Sequence, residues 1–234
     1  MKNIILIILL FFTTNAFADG HSGPGEGSFS TLEVAAKDID KYVDYLRSNS
    51  SAFEAIGSNG SGVCITRSGH DYPGQMMIFN AFNNISDAMS GTLKYDPFEA
   101  PNAISKLREV KYSTIWKPLK KFRLDPGFEL VRRVIVKQEN MSAFAEAMSV
   151  LEKEIQDNGH ETFFNGVFVS LGGGSYESNT LMVRSITSDA REQGQIADEF
   201  FEGKYNESYS AAMALTDGIV SDNVQVCEQL YFID

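Results

Sequence analysis

"GVCITRSGHDYPGQMMIF" runs from Gly62 to Phe79, and "GVFVSLGGGSYESNTLMV" runs from Gly166 to Val183. Each is an alternating apolar run, a glycine-bearing break carrying Tyr72 or Tyr176, and a second apolar run. The two align without a gap at an offset of 104. Alternation, turn residues and alternation again are the marks of a β-hairpin. The same hairpin written twice in one chain predicts an internal duplication.

The flanks extend the repeat. Before the first hairpin, "TLEVAA" (31–36) alternates like a strand, and Asp38 to Ile56 carries apolar residues near helical spacing with Gly57 as stop. After it, Ser86 is a good N-cap for a short helix, Pro101 opens a helical piece through Glu109, and a strand follows from Val110 to Phe122. "RLDPG" reads as a turn, and the order restarts. "FELVRRVIVK" (128–137) is a strand. Met141, Phe144, Ala145, Met148, Leu151 and Ile155 form a helical stripe ending at Gly159. The second hairpin comes next, then "SDA" at 188–190 as at 86–88, and "DNVQVCEQLYF" closes the chain as a strand.

Strand, helix, strand, strand, helix, strand is the ferredoxin-like arrangement, whose helices cover one face of a four-stranded antiparallel sheet. The second face needs cover too. Val63, Ile65, Val167 and Val169 make one face of the hairpins, while Cys64, Thr66, Phe168 and Ser170 make the other. The third strand is apolar on both: Met77 and Phe79 against Met76, Ile78 and Phe82. A sheet with one wet face alternates more cleanly. Two such units can cover each other, so the fold class is α+β, two ferredoxin-like βαββαβ repeats (31–124 and 128–234) with their sheets face to face.

This pattern resembles the dimeric α+β barrel superfamily, here with two units fused in tandem as an internal pseudo-dimer, so that a monomer is plausible. The resemblance rests on element order and repetition across 31–234, and it implies a fold without implying a function. The superfamily includes cofactor-independent monooxygenases, haem-degrading enzymes and chlorite-dismutase-like haem proteins. It also implies that edge strands of the two units lie side by side. Cys64 sits in strand two of the first unit and Cys227 in strand four of the second, so a Cys64–Cys227 disulfide across that seam is expected.

The N-terminus predicts the compartment. Lys2 precedes an apolar run from Ile4 to Phe12, and Ala16-Phe17-Ala18 has the form of a cleavage site. This is read as a secretory signal peptide (1–18), cut between Ala18 and Asp19; the run is too short for a hydrocarbon core that needs roughly 20 residues. The product is expected to be periplasmic or secreted, where an isolated cysteine pair is more often bonded than free. "DGHSGPGEGSFS" (19–30) is a flexible leader. With 31 acidic against 20 basic residues the chain is acidic and a poor partner for nucleic acid. At 43% apolar content it should pack a core.

No motif fixes a chemistry. Three histidines without ligand spacing exclude most metal sites, and no cofactor-binding signature is present. "GGG" (172–174) lies inside a hairpin and is a turn. His70, beside Asp71 in the first hairpin turn, is the one candidate base; a solvated turn residue is its plainer reading. Polar residues within apolar strands mark candidate ligand contacts: Arg132 and Arg133 on opposite faces of one strand, Asn80 and Arg184 at matching places in the two third strands, and Trp116, the single tryptophan. An interior lined by these would hold a small anionic or aromatic molecule. The plain alternative is arginine stems packed along strand ends with Trp116 as core. "KPLKKFR" (117–123) reads as a solvated run protecting a sheet edge. The leading function is small-molecule binding in the inter-sheet cavity or a helix-side cleft. The rivals are cofactor-independent oxygenation and a structural module with a filled barrel.

Overall fold

The computed structural model describes residues 25–233; the signal-peptide reading lies outside them. Four strands and four helices come first: β1 (Ser28–Ala36), α1 (Ile39–Ser48), α2 (Ser51–Ala55), β2 (Gly60–Ser68), β3 (Gln75–Phe82), α3 (Ile85–Thr92), α4 (Asn102–Ser105) and β4 (Arg108–Pro118). Then follow β5 (Phe128–Val136), α5 (Met141–Asp157), β6 (Phe164–Leu171), β7 (Thr180–Thr187), α6 (Ala190–Phe201), α7 (Asn206–Met213) and β8 (Thr216–Phe232). All eight strands join one closed antiparallel barrel in the order β1-β3-β2-β8-β5-β7-β6-β4. The expected two stacked sheets are thus one continuous ladder. Closure leaves no edge exposed, which removes the unpaired N–H and C=O groups an open sheet must protect.

The seams are β2 with β8 and β4 with β6, strands two and four as the resemblance implied. β8 makes the longer one. Its first part, Thr216 to Val226, pairs with β5, and its last part, Val224 to Phe232, pairs with β2. Cys64 stands directly opposite Cys227 in that ladder, their Cα atoms 4.0 Å apart, and the two are joined by a disulfide.

The strand faces divide as alternation required. Val63, Met76 and Ile78 pack with Tyr42, Val43, Leu46 and Phe53 beneath the first helical layer. Val167, Leu181 and Val183 pack with Phe144, Met148, Leu151 and Ile155 beneath the second. Phe29, Met77, Phe79, Trp116, Val131, Phe168 and Met182 fill the barrel with both cysteines. Gly166 faces inward too, and a Cβ there would come within 2.3 Å of the Phe168 ring and 2.5 Å of Phe122. Its hydrogen leaves room for rings that meet edge to face at 4.8 Å.

Several expectations change. Asp38 to Ile56 is two helices, because the chain leaves helical geometry at Asn49. The cap of α3 is Asn84, whose Oδ1 accepts the backbone N–H of Asp87 at 2.8 Å; Ser86 lies inside the helix. The expected helix from Pro101 to Glu109 stops at Ser105, and Arg108 opens β4 because Ala36 of β1 offers it a ladder partner. The hairpins also differ by one residue. Gly62 pairs with Phe79, but Gly166 pairs with Arg184. The counterpart of Arg184 is therefore Phe79, and Asn80 faces the opposite way. The gapless alignment hid this because the second turn is longer.

Candidate functional site

Inside the barrel, aromatic rings surround two ion pairs. Arg184 of β7 is held in a fork by Glu129 of β5, Nε donating to Oε2 at 2.7 Å and Nη2 to Oε1 at 2.5 Å, with both side chains fully buried. Its Nη2 lies 3.7 Å from each disulfide sulfur, and the guanidinium faces the Phe122 ring at 5.5 Å. Arg133 points inward as well. It donates from Nε and Nη2 to Glu177 at 2.7 and 2.9 Å, and lies 5.2 Å from the centre of the Trp116 ring. Trp116 donates its indole N–H to Thr31 at 2.9 Å.

The structure therefore places Trp116, Arg133 and Arg184 together inside the barrel. Arg132 is on the outer face, paired with Asp222 at 3.0 Å. Asn80 is on the helix side, accepting from Ser61 at 2.9 Å. His70 is an exposed turn residue. Lys120, within the run expected to be solvated, is buried: its Nζ meets Glu152 and the Asn165 carbonyl, each at 2.7 Å. The run was misread because β4 continues into the seam with β6 and is no edge. Cys64, Cys227 and Glu129 are close enough to suggest a metal trio, but both sulfurs are committed to each other.

At one end of the barrel Tyr112 donates to Glu177 at 2.7 Å and stacks on Tyr176 at 4.3 Å. Glu33, buried beside this cluster, has its pKa raised from 4.5 to about 7, mainly by loss of water. Arg133 pulls it down, while Glu177 and Asp71 push it up. The folded chain thus keeps a proton that the unfolded chain releases between pH 4.5 and about 7. Stability from this group falls as pH rises through that window, by up to about 3 kcal/mol. Glu33→Gln should be more stable than the parent at pH 8 and indistinguishable from it at pH 4.5. Urea unfolding at the two values checks this, and an equal offset at both would refute it.

A cleft of about 830 Å³ opens on the helix side of the first half. Its floor is Leu32, Ile78 and Ile115 of the sheet; its walls include Phe53 and Ile56, and the segment from Tyr95 to Pro101 forms the far side. The cause is helix length. In the second half the 17-residue α5 covers the sheet with Phe144 to Ile155, while Tyr205, Phe200 and Leu215 fill the remainder. In the first half α1 has ten residues and α2 five, and sheet is left uncovered. Arg108 closes one end of the cleft, buried, with Nη1 donating to Tyr42 Oη at 2.5 Å and Nη2 to Tyr95 Oη at 2.6 Å.

With this geometry in place the chain can be set beside known proteins. No family model matches it and no curated protein matches it. Solved structures do. One, described as a proposed monooxygenase from Fusobacterium nucleatum, is 15% identical, with a TM-score of 0.54 over 88% of this chain and 94% of that one. Another proposed monooxygenase, from Lactobacillus acidophilus, is 8% identical, with a TM-score of 0.56 over 87% and 95%. A variant of chlorite dismutase from Candidatus Nitrospira defluvii is 8% identical, with a TM-score of 0.52 over 88% and 92%. The fold is that of the dimeric α+β barrels.

Some dimeric α+β barrel proteins carry haem, and this chain's cleft can be tested for it. Its lining holds no histidine, cysteine or methionine. His70 lies in an exposed turn, and His160 belongs to the second half, its ring 3.0 Å from Glu199. The cleft therefore does not fit a haem ligated by imidazole, thiolate or thioether. Sequence reasoning missed Arg108, Glu33, Glu129 and Glu177. The two strand glutamates had a signal: Glu33 shares parity with inward Thr31, and Glu129 with inward Val131 and Arg133.

Proposed function

We propose that this chain is an exported binding protein that holds a small, largely apolar organic molecule in the helix-side cleft of its first half. The observation that carries the reading is the cleft itself, which is open, lined mainly by apolar side chains, and of the size that suits one small ligand. Phe98, on its lining, is exposed, as suits a mouth that receives an apolar guest. The barrel interior, by contrast, is occupied by rings and paired charges. Among the described residues no helix is long and apolar enough to cross a membrane.

Two ferredoxin-like units fused in tandem account for this architecture. The order β4-β1-β3-β2 in one half repeats as β8-β5-β7-β6 in the other, and such a pseudo-dimer can act as a monomer. Export rests on the signal-like N-terminus. The mature protein should begin at Asp19, which intact mass of the secreted product would check.

The test of the cleft is native mass spectrometry of protein taken from its own exported compartment. A co-purifying organic molecule should be present in the parent and lost in Ala52→Trp, which places an indole at the cleft wall from an exposed position. A molecule retained in that variant would move the site elsewhere. The second reading, cofactor-independent oxygenation, draws on the names of the monooxygenase neighbours. Such chemistry needs a base near the substrate, and Asp96 is the one carboxylate on the cleft lining. Its side chain accepts the backbone N–H of Phe98 at 2.8 Å. Binding is the better supported of the two.

A further inference from the structure

Arg108 is a buried cation for which the described residues supply no anion. It is 5% exposed, and it makes no ion pair among them. Its two hydrogen bonds run to the phenols of Tyr42 and Tyr95. Tyr42 does not supply the missing charge, since burial pushes its hydroxyl up to about 12 even though Arg108 draws it down. Asp96, the carboxylate on the same cleft, faces the backbone of Phe98. Of the five N–H donors of a guanidinium, two are used, and the Nε–H is buried without an acceptor.

Other cations held inside the fold are treated differently. Arg184 has Glu129, Arg133 has Glu177, and Lys120 has Glu152. A buried charge left uncompensated is strongly unfavourable, and a fold that supplies a carboxylate three times elsewhere leaves this one open on a ligand-sized cleft. We infer that the cleft takes an organic anion, an apolar body bearing one carboxylate, and that the carboxylate seats on the cleft side of the Arg108 guanidinium, beside Tyr95. This rests on the cleft being the binding site and adds the chemical class of its ligand. Arg108 sets the specificity: it supplies the charge and the donors, while Leu32, Ile78 and Ile115 supply the surface for the apolar body. An uncharged analogue of the same shape leaves the buried guanidinium as it was and forgoes the charge-assisted hydrogen bonds.

The test uses a matched pair of probes, 2-naphthoate and 2-naphthalenemethanol, titrated calorimetrically into the full mature chain at pH 7. The parent should bind the acid at least about tenfold more tightly than the alcohol. Arg108→Gln should bring acid and alcohol to equal affinity, and Arg108→Lys should keep part of the preference. The comparison in the parent depends on no variant folding. Equal affinities for acid and alcohol, both abolished by Ala52→Trp, would overturn the anion assignment and leave the cleft as the site. A preference for acid that survives Arg108→Gln would also overturn it. Binding of neither probe, or binding that Ala52→Trp does not touch, would bring down the cleft reading and this inference with it.

Discussion

Replacing Cys64 and Cys227 together by alanine is expected to lower the stability of the chain by about 3–5 kcal/mol. The bond joins residues 163 apart in sequence, so the unfolded chain it restrains is a loop of most of the described protein. Loop-closure entropy grows slowly with length, and a loop of this size falls near the upper end of what the entropy account allows. For a domain of this size the corresponding fall in melting temperature is roughly 6–20 °C. The sulfurs also lie in the core, with Cys64 wholly buried, so the double alanine variant loses some packing as well. Comparing that variant with reduced parent protein separates the two contributions. Reduction opens the loop while keeping the sulfur atoms; the variant opens it and removes them. Both should unfold earlier in urea, the variant further. Unchanged midpoints in both would mean that the β2–β8 ladder holds the seam without the bond.

The hairpins made this seam legible. Alternation assigned Cys64 and Phe168 to one face and Val63 and Val167 to the other, and the structure keeps that division. Period-two patterns survive because a shift by one residue would move every side chain to the wrong face. Two things were not legible. One is register: the apolar alphabet of β3 and β7 reads the same when slipped, so only ladder partners reveal that Arg184 corresponds to Phe79. The other is anything that depends on what lies across a gap. Arg108 looked like the end of a helix because its neighbours along the chain are helix formers, whereas its place in β4 is set by Ala36, far away in sequence. The cleft was similarly hidden. Its existence follows from α1 stopping at Ser48 while α5 runs a full 17 residues, and from a roof built by a segment with no regular pattern. Lys120 failed for the same reason, since Glu152 is contributed by the other half.

Arg184 yields the other large effect. Its occurrence in an apolar strand suggested a ligand contact. The fork with Glu129, with both groups fully buried, makes a large loss of stability the expected effect of its removal. Arg184→Met keeps much of the stem volume and removes the charge. Glu129 is then a buried carboxylate without its cation, and breaking such a pair from one side is expected to destabilise by about 3–5 kcal/mol. The direction reverses when both partners go. Arg184→Met with Glu129→Gln removes both charges, and an uncharged pair of similar volume can be nearly neutral. The double variant should therefore recover most of what the single one loses. A thermodynamic cycle across parent, both single variants and the double, measured by urea unfolding at pH 7, gives the coupling directly. Additive losses would show that the pair is not what holds these two strands together.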